Sequence, residues 1–307
     1  MEQIMSLRTV IIPAAGLGTR LMPATKVTAK ELMPVFDRVV IDFAIKEALG
    51  VGAERIIIVI SPSKTTIRTY LGTHAGAAGS GDARTGLRQT DIEIAYVHQD
   101  QPLGLGHAIL CCRDLVLPGP VGVILPDDII MRQNALAEMA RHYRAGHMVA
   151  GMPVRPEATA QYGIFRVSGL AVDRCIPVSG MVEKPAPGTA PSAIAAVGRY
   201  ILDPTIFDVL SRTPPGKGGE VQLTDAISIA GLAVRLTAFR FSGIRHDCGH
   251  HDGLLAAANA RQSEVRGERS AQTEEQAHSV AISRTIHARN GMSNRAARSV
   301  DAKAIGR

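Results

Sequence analysis

Residues 14–20, Ala-Ala-Gly-Leu-Gly-Thr-Arg, carry the first chemistry legible in this chain. They follow Val10-Ile11-Ile12, an apolar run that reads as a buried strand. Glycines after a strand let the main chain pass close to a bound group, because no side chain intervenes. Their N–H groups can face an anion, and a following helix N-terminus would strengthen that field. Arg20 closes the turn with a planar cationic fork that matches phosphate. The segment therefore predicts a polyphosphate site. It is not a Walker A loop, since no Gly-Lys-Ser/Thr closes it. It is not a dinucleotide fingerprint either: Leu21 stands where the third glycine belongs, and Ile60 is followed by Ser61-Pro62 rather than an acidic residue. A dehydrogenase is set aside on those two grounds.

Further candidates lie at the ends of other apolar runs. Lys26 and Lys30 follow the glycine turn, and Lys30 could return to the same phosphates. The run 92–97 leads to Gln99 and to Gly104-Leu105-Gly106-His107. A glutamine offers a donor and an acceptor, which suits the imide edge of a pyrimidine, and Gly104 would let a base approach the backbone. His107 begins an apparent helix and reads as a capping or packing residue. The run 121–125 ends at Pro126-Asp127-Asp128. Mg²⁺ is commonly held by one or two carboxylates plus substrate phosphates, and position favours Asp127 for that role over Asp128. The cluster His246, Asp247, Cys248, His250, His251, Asp252 has metal-ligand types. A structural zinc would need three or four of them to converge, and the segment is too compact for a known zinc spacing. The alternative is one Mg²⁺ carboxylate in a polar loop beside surface histidines.

These residues need a scaffold of strands and helices. Strands are expected at 9–12, 55–60, 92–97, 121–125, 147–153, 163–167, 196–201 and 233–240. Helices are expected at 37–50, 64–71, 105–113, 133–146, 205–211, 222–230 and 253–264. Ile56–Ile60 and Val121–Leu125 have no polar face, as in a mainly parallel sheet covered by helices on both faces. The alternation predicts a doubly wound α/β fold, whose ligands bind beyond the carboxyl ends of the strands. Residues 74–90 read as a surface loop and 265–307 as a polar, partly disordered tail.

Composition bounds the function. At 46% hydrophobic residues, global disorder is excluded. No apolar run is long enough to span a bilayer, so no membrane partner is expected. The net charge of +6 invites nucleic acid, but nine basic and five acidic residues lie from Arg261 onward. The body is thus nearly neutral, without a basic stripe or the aromatics that stack bases, and no specific nucleic acid is expected. Cys111, Cys112, Cys175 and Cys248 form no CxxC pair. With no signal-peptide pattern, they read as free thiols of a cytoplasmic protein.

The segments PAAGLGTRLMPATK, KELMP, GLGHAI, ILPDD, QYGIF, VEKP, VGRYIL, GGEVQLTDAI and HDCG span roughly residues 8–250. In that order, they resemble the bacterial UTP–glucose-1-phosphate uridylyltransferases of the nucleoside-diphosphate-sugar pyrophosphorylase superfamily. The resemblance implies a Rossmann-like nucleotide half (about 1–150) with a sugar-binding portion (about 151–252), within a catalytic domain over 1–264. It implies that UTP and a sugar 1-phosphate, glucose by family default, become a UDP-sugar and pyrophosphate with Mg²⁺. Ala15, Gly16, Gly18 and Thr19 would cradle the nucleotide, and Arg20 would hold its β- and γ-phosphates. Lys30 would reach the phosphates near the α position. Gln99 and Gly104 would read uracil. Asp127 and Asp247 would bind the metal. Gly163 and Gly198 would line the sugar site, Glu183 would bond sugar hydroxyls and Lys184 would hold the sugar phosphate, with 219–225 shaping the pocket. The family's subunit contacts imply a homo-oligomer.

Three departures stand out. Ala29 replaces the family's proline before the active-site lysine, which loosens the turn that aims Lys30. Leu103 replaces a lysine, and His250-His251-Asp252-Gly253-Leu254 replaces Asn-Lys-Leu-Gly-Tyr. They motivate one other reading, a regulatory binding paralogue with little activity. A related transferase for another nucleotide or sugar, such as a thymidylyltransferase, is a separate alternative, against which Gly104-Leu105-Gly106-His107 favours the uridylyl group.

Overall fold

Strands without a polar face need cover on both sides, and the computed structural model, which describes residues 7–75 and 92–268, shows that cover. In chain order, β1 (Thr9–Pro13) runs into a loop and three short 3-10 turns, Thr19–Leu21, Ala24–Lys26 and Lys30–Leu32. A ribbon of β2 (Pro34–Val35) and β3 (Arg38–Val39) leads to α1 (Val40–Gly50). Then come β4 (Arg55–Ile60), α2 (Thr65–Ala75), β5 (Glu93–His98), α3 (Leu105–Leu110) and β6 (Val121–Ile124). The middle of the chain forms β7 (Asp128–Met131), α4 (Ala135–His142), β8 (His147–Pro153), β9 (Gly163–Val167), β10 (Cys175–Glu183) and β11 (Ile194–Leu202). Next are α5 (Ile206–Leu210), α6 (Leu223–Ala230), β12 (Leu236–Arg240) and β13 (Ile244–Asp247), followed by a helix over 251–268.

Nine strands make one mixed sheet in the order β5-β4-β1-β6-β11-β8-β12-β10-β9. The β5-β4-β1-β6 half is parallel. From β11 onward most pairings are antiparallel, with β8 and β12 parallel. The parallel half meets the rest of the sheet where β6 pairs with β11. The pleat sends alternate side chains to opposite faces. Val10, Ile12, Ile56 and Ile58 pack with Ile41 and Ile45 of α1 and with Leu136 and Met139 of α4. Ile11, Ile57 and Val59 pack with Ile109 of α3, Phe207 of α5 and Ile227 of α6.

Five strands escaped the sequence reading: β2 and β3, the latter inside the start of the helix expected over 37–50, and β7, β10 and β13. β10 contains Pro177 and Gly180, residues that weaken a strand pattern, and its register shifts between Val178 and Gly180. β7 and β13 form a separate two-stranded ribbon, and β13 (Ile-Arg-His-Asp) has little apolar content to announce it. The helix expected over 133–146 stops at His142. Gly146 has φ +78°, and a Cβ there would lie 2.0 Å from the Arg235 carbonyl oxygen, so the chain turns into β8 instead. The surface-loop expectation for 74–90 lies outside the described residues except 74–75, which end α2. Of the expected tail, 265–268 are helical and 269–307 lie outside the described residues. Compact units divide after Ala258, six residues before the expected end of the catalytic domain. No described helix is long and apolar enough to cross a membrane.

One buried ion pair ties the sheet centre to its helices. Arg199 of β11, 1% exposed, donates from Nη2 to Glu47 Oε2 of α1 at 2.7 Å. Glu47 Oε1 also accepts from Leu136 N, at the start of α4, at 2.9 Å. Removing one partner of such a pair leaves an uncompensated buried charge, at a cost of about 3–5 kcal/mol. Arg199→Met is therefore expected to lose stability on that scale in urea denaturation. The double variant with Glu47→Gln is expected to recover part of it, because no charge is then stranded.

Candidate active site

The glycine loop starts where β1 stops. Ala14 N–H donates to the Val59 carbonyl of β4 at 2.7 Å, which fixes the loop's first residue. Ala15 is buried, while Gly16, Thr19 and Arg20 are exposed. Gly18 sits at φ 67°, ψ 34°, a left-handed conformation that favours glycine. A Cβ at Gly18 would also lie 3.1 Å from both Lys30 Cβ and Thr25 Cγ2. Lys30 thus runs along the loop: a Cβ on Gly16 would be 3.8 Å from its Nζ. The expected helix N-terminus does not follow. Thr19–Leu21 is a single 3-10 turn, too short to sum many aligned peptide dipoles, so any field at the loop comes from its own N–H groups and cations.

Lys30 Nζ donates to Asp127 Oδ2 at 2.6 Å. Burial works against the Lys30 ammonium, but Asp127 and Glu31 outweigh it and hold the group above the ordinary lysine range. Burial likewise works against the Asp127 carboxylate, and Lys30 outweighs it, so Asp127 lies below the ordinary carboxylate range. Ala29, the departure that precedes Lys30, has φ −58° and ψ 138°. That φ is proline-like, so the turn keeps its shape with alanine in place.

The β7–β13 ribbon brings the second carboxylate in. Asp247 pairs with Asp128 across it, and Cys248 N–H donates to the Asp127 carbonyl at 2.7 Å. Asp247 Oδ1 accepts from Gly249 N–H at 3.0 Å, and a Cβ on Gly249 would be 2.8 Å from Arg20 Nη2. Arg20, Lys30, Asp127 and Asp247 therefore gather at the carboxyl edge of the parallel strands. Two hard carboxylates in adjacent strand ends fit the donor set of a Mg²⁺ site completed by phosphates. Among the described residues no group of three or more His, Cys, Asp and Glu forms a metal cage.

Asp128 faces the interior. It accepts from Gly198 N–H at 2.8 Å and from Arg245 Nε at 2.8 Å, and burial pushes its carboxyl up despite Arg245. Arg245 also donates to Asp247 Oδ2 at 3.2 Å and lies 5.4 Å from the Tyr162 ring centroid. The sequence reading missed Arg245, because the strand that sets it on the same face as Asp247 has little apolar content to announce it. Gly198 is packed against this pair, since a Cβ there would be 2.6 Å from Leu125 Cβ and 2.8 Å from Asp128 Oδ2.

Gly163 pairs with Glu183 across β9 and β10. A Cβ on Gly163 would sit 2.9 Å from Thr224 Cγ2 and 3.3 Å from Glu183 Oε2, so its bareness lets α6 close over the Glu183 carboxylate. Lys184 has φ 43°, uncommon for a residue with a side chain, and its N–H donates to the Tyr162 carbonyl at 3.0 Å. Such strain is concentrated where a side chain must be aimed. Its Nζ lies 3.5 Å from Glu183 Oε1 and is half exposed.

Gly104 packs closely against the 219–225 segment. At φ +91° its missing Cβ leaves room for Glu220, whose Cβ would otherwise be 2.7 Å away. Val221 N–H donates to Leu103 O at 2.8 Å, and Gly106 N–H donates to Val221 O at 2.9 Å. The glycines thus join the 219–225 segment to this loop. Gln99, buried, donates from Nε2 to Gly104 O at 3.0 Å and lies 3.1 Å from His107 Nδ1. His107 is therefore engaged with Gln99, in keeping with its packing reading.

A mixed α/β sheet with a glycine loop, a lysine and two carboxylates at its carboxyl edge defines a nucleotidyl transferase. Residues 9–264 match the sequence profile of the family described as nucleotidyl transferase, and the chain belongs to that family. Among its relatives is the UTP–glucose-1-phosphate uridylyltransferase of Escherichia coli (strain K12), 37% identical over 265 residues, which cover 80% of this chain and 87% of that protein. The Streptococcus pyogenes protein of the same name is 38% identical over 262 residues, covering 81% and 86% respectively. A UDP-glucose pyrophosphorylase solved with UDP-glucose superposes with a TM-score of 0.76 at 35% identity, covering 84% of this chain and 99% of that one. The UTP-bound UGPase from Acinetobacter baumannii gives a TM-score of 0.73 at 34% identity, covering 83% and 93%.

The Lys30–Asp127 pair makes a pH prediction. A depressed carboxyl stabilises the fold fully above the unfolded aspartate value of about 3.9 and loses that contribution as pH falls through its lower folded value. The raised Lys30 contributes fully below the unfolded lysine value of about 10.4 and loses it as pH rises through its higher folded value. The gap in thermal midpoint between the unaltered chain and Asp127→Asn is expected to persist across neutral pH and to close in acid. A gap undiminished at about pH 3 would contradict the pairing.

Proposed function

We propose that this chain joins UTP and α-D-glucose 1-phosphate to give UDP-glucose and pyrophosphate, with Mg²⁺ as cofactor. The observation that carries the reading is Lys30, 2.6 Å from Asp127 Oδ2 and alongside Gly16 and Gly18, with Asp247 on the adjoining ribbon. Relatives named for this reaction support it along four fifths of the chain.

A sugar phosphate is already ionised at neutral pH, so no general base has to create the nucleophile. Its oxygen attacks the α-phosphorus in line, a new P–O bond forms, and the bond to the bridging oxygen of the β-phosphate breaks. Pyrophosphate leaves with the electron pair. Catalysis then rests on aligning two anions and neutralising their repulsion. Ala15, Gly16, Gly18 and Thr19 cradle the nucleotide. Arg20 holds the departing β- and γ-phosphates, and Lys30 neutralises charge at the α-phosphate. Lys184 holds the sugar phosphate, with Glu183 beside Gly163 bonding sugar hydroxyls. Gln99 holds the 99–107 loop against which the uracil is read. Asp127 and Asp247 would hold Mg²⁺, which supplies charge neutralisation at the reacting phosphates when bound.

Pyrophosphate release with UTP, glucose 1-phosphate and Mg²⁺ tests the reading. Turnover is expected to need all three and to favour UTP over dTTP. Preference for dTTP would support the thymidylyl alternative, and tight UTP binding without turnover the binding paralogue. Lys184→Ala removes a charged contact of about 1.5–3 kcal/mol. It is expected to raise KM for glucose 1-phosphate by about 10- to 100-fold and to leave KM for UTP nearly unchanged in steady-state kinetics.

A further inference from the structure

Lys64 stands outside the set of residues given roles above, yet it makes the most directed contacts near the glycine loop. It lies in the turn between β4 and α2, its N–H donating to the Ser61 carbonyl at 3.0 Å. Its side chain is 11% exposed. Its Nζ donates to three oxygens: Ala14 O at 2.9 Å, Gly16 O, and Glu31 Oε2 at 2.7 Å. An ammonium has three donors, so none remains for a ligand. Lys64 is a strut rather than a phosphate hook.

The strut acts on peptide orientation. In a planar trans peptide the carbonyl and the next N–H point in opposite directions. With the Ala14 and Gly16 carbonyls drawn onto Lys64, the N–H groups of Ala15 and Leu17 point away from it. Glycine would otherwise leave this stretch free to flip, and an outward carbonyl would repel a phosphate.

Glu31 completes the device. It is fully buried, and its Oε1 has no hydrogen-bond partner. It adjoins Lys30 in the Lys30–Leu32 turn, where Lys30 reaches Asp127 and Glu31 reaches Lys64. One three-residue turn thus carries both a cation of the site and the anchor that shapes its loop.

We propose that the buried Glu31–Lys64 pair is the positioning device of the glycine loop, holding the Ala14 and Gly16 carbonyls inward so that the Ala15 and Leu17 N–H groups face the phosphates of the nucleotide. It rests on the reading that this loop binds UTP.

Two measurements test it. The double variant Glu31→Gln/Lys64→Met removes both charges, so neither is left buried alone. Its Kd and KM for UTP are expected to rise at least about tenfold, which is about 1.4 kcal/mol, while KM for glucose 1-phosphate stays within about twofold. A pair that only stabilises the fold would lower the thermal midpoint and leave the UTP constants of the folded protein unchanged, and that result overturns the proposal. The second measurement uses the unaltered chain and does not depend on a variant folding. UTP is expected to slow amide hydrogen exchange at Ala15 and Leu17, and saturating UTP that slows neither overturns the proposal. Failure of the unaltered chain to bind UTP would instead strike the underlying reading.

Discussion

Lys30 and Asp127 are 97 residues apart in sequence and 2.6 Å apart in space, and the site is organised around that contact. Two opposite charges in a partly buried setting stabilise one another only if each has little else to lose. Asp127 is held by its place after β6 and by the Cys248 N–H on its carbonyl. Lys30 is held by the turn it shares with Glu31, and Glu31 is held by Lys64. On the other side Asp128 turns inward to Arg245, which also touches Asp247. The carboxyl edge of the sheet therefore gathers buried and half-buried charges in opposite-sign contacts. Acidic groups sit next to the glycine loop because a cation stands beside each of them.

Glycines make this charged cluster compact. Gly198 allows Asp128 to lie against β11, Gly163 allows α6 to approach Glu183, and Gly104 with Gly106 allows 220–221 to dock beside Gln99. In each case a Cβ would meet another part of the protein at under 3 Å. Their shared function is close approach of chain to chain. Gly18 differs, because its left-handed backbone is needed as well as the space.

Much of this was legible in the residues. The strands 55–60, 147–153 and 163–167 match their expected limits, because long apolar or alternating runs leave few other solutions. Asp127 could be singled out because a carboxylate just past a buried strand must lie at the sheet's carboxyl edge. β10 and β13 were not legible. A strand containing proline and glycine, or one of four mostly polar residues, is stabilised by partners from elsewhere in the chain rather than by its own pattern. Lys64 was missed for a related reason: a lysine after Ser-Pro-Ser reads as a solvated surface group until its three acceptors are seen.

By itself the sequence determined the alternation of strands and helices, the glycine turn, and the identities of the charged groups, since these depend on local periodicity and side-chain chemistry. Tertiary structure alone decided which charge meets which. Lys30 could have faced solvent, Asp128 could have been the outward carboxylate, and Gly104 could have stood clear of the 219–225 segment. Those choices depend on contacts between residues separated by tens to hundreds of positions. Burial makes each choice costly to reverse, because a charge moved from its partner would lose both the partner and the water it gave up on folding.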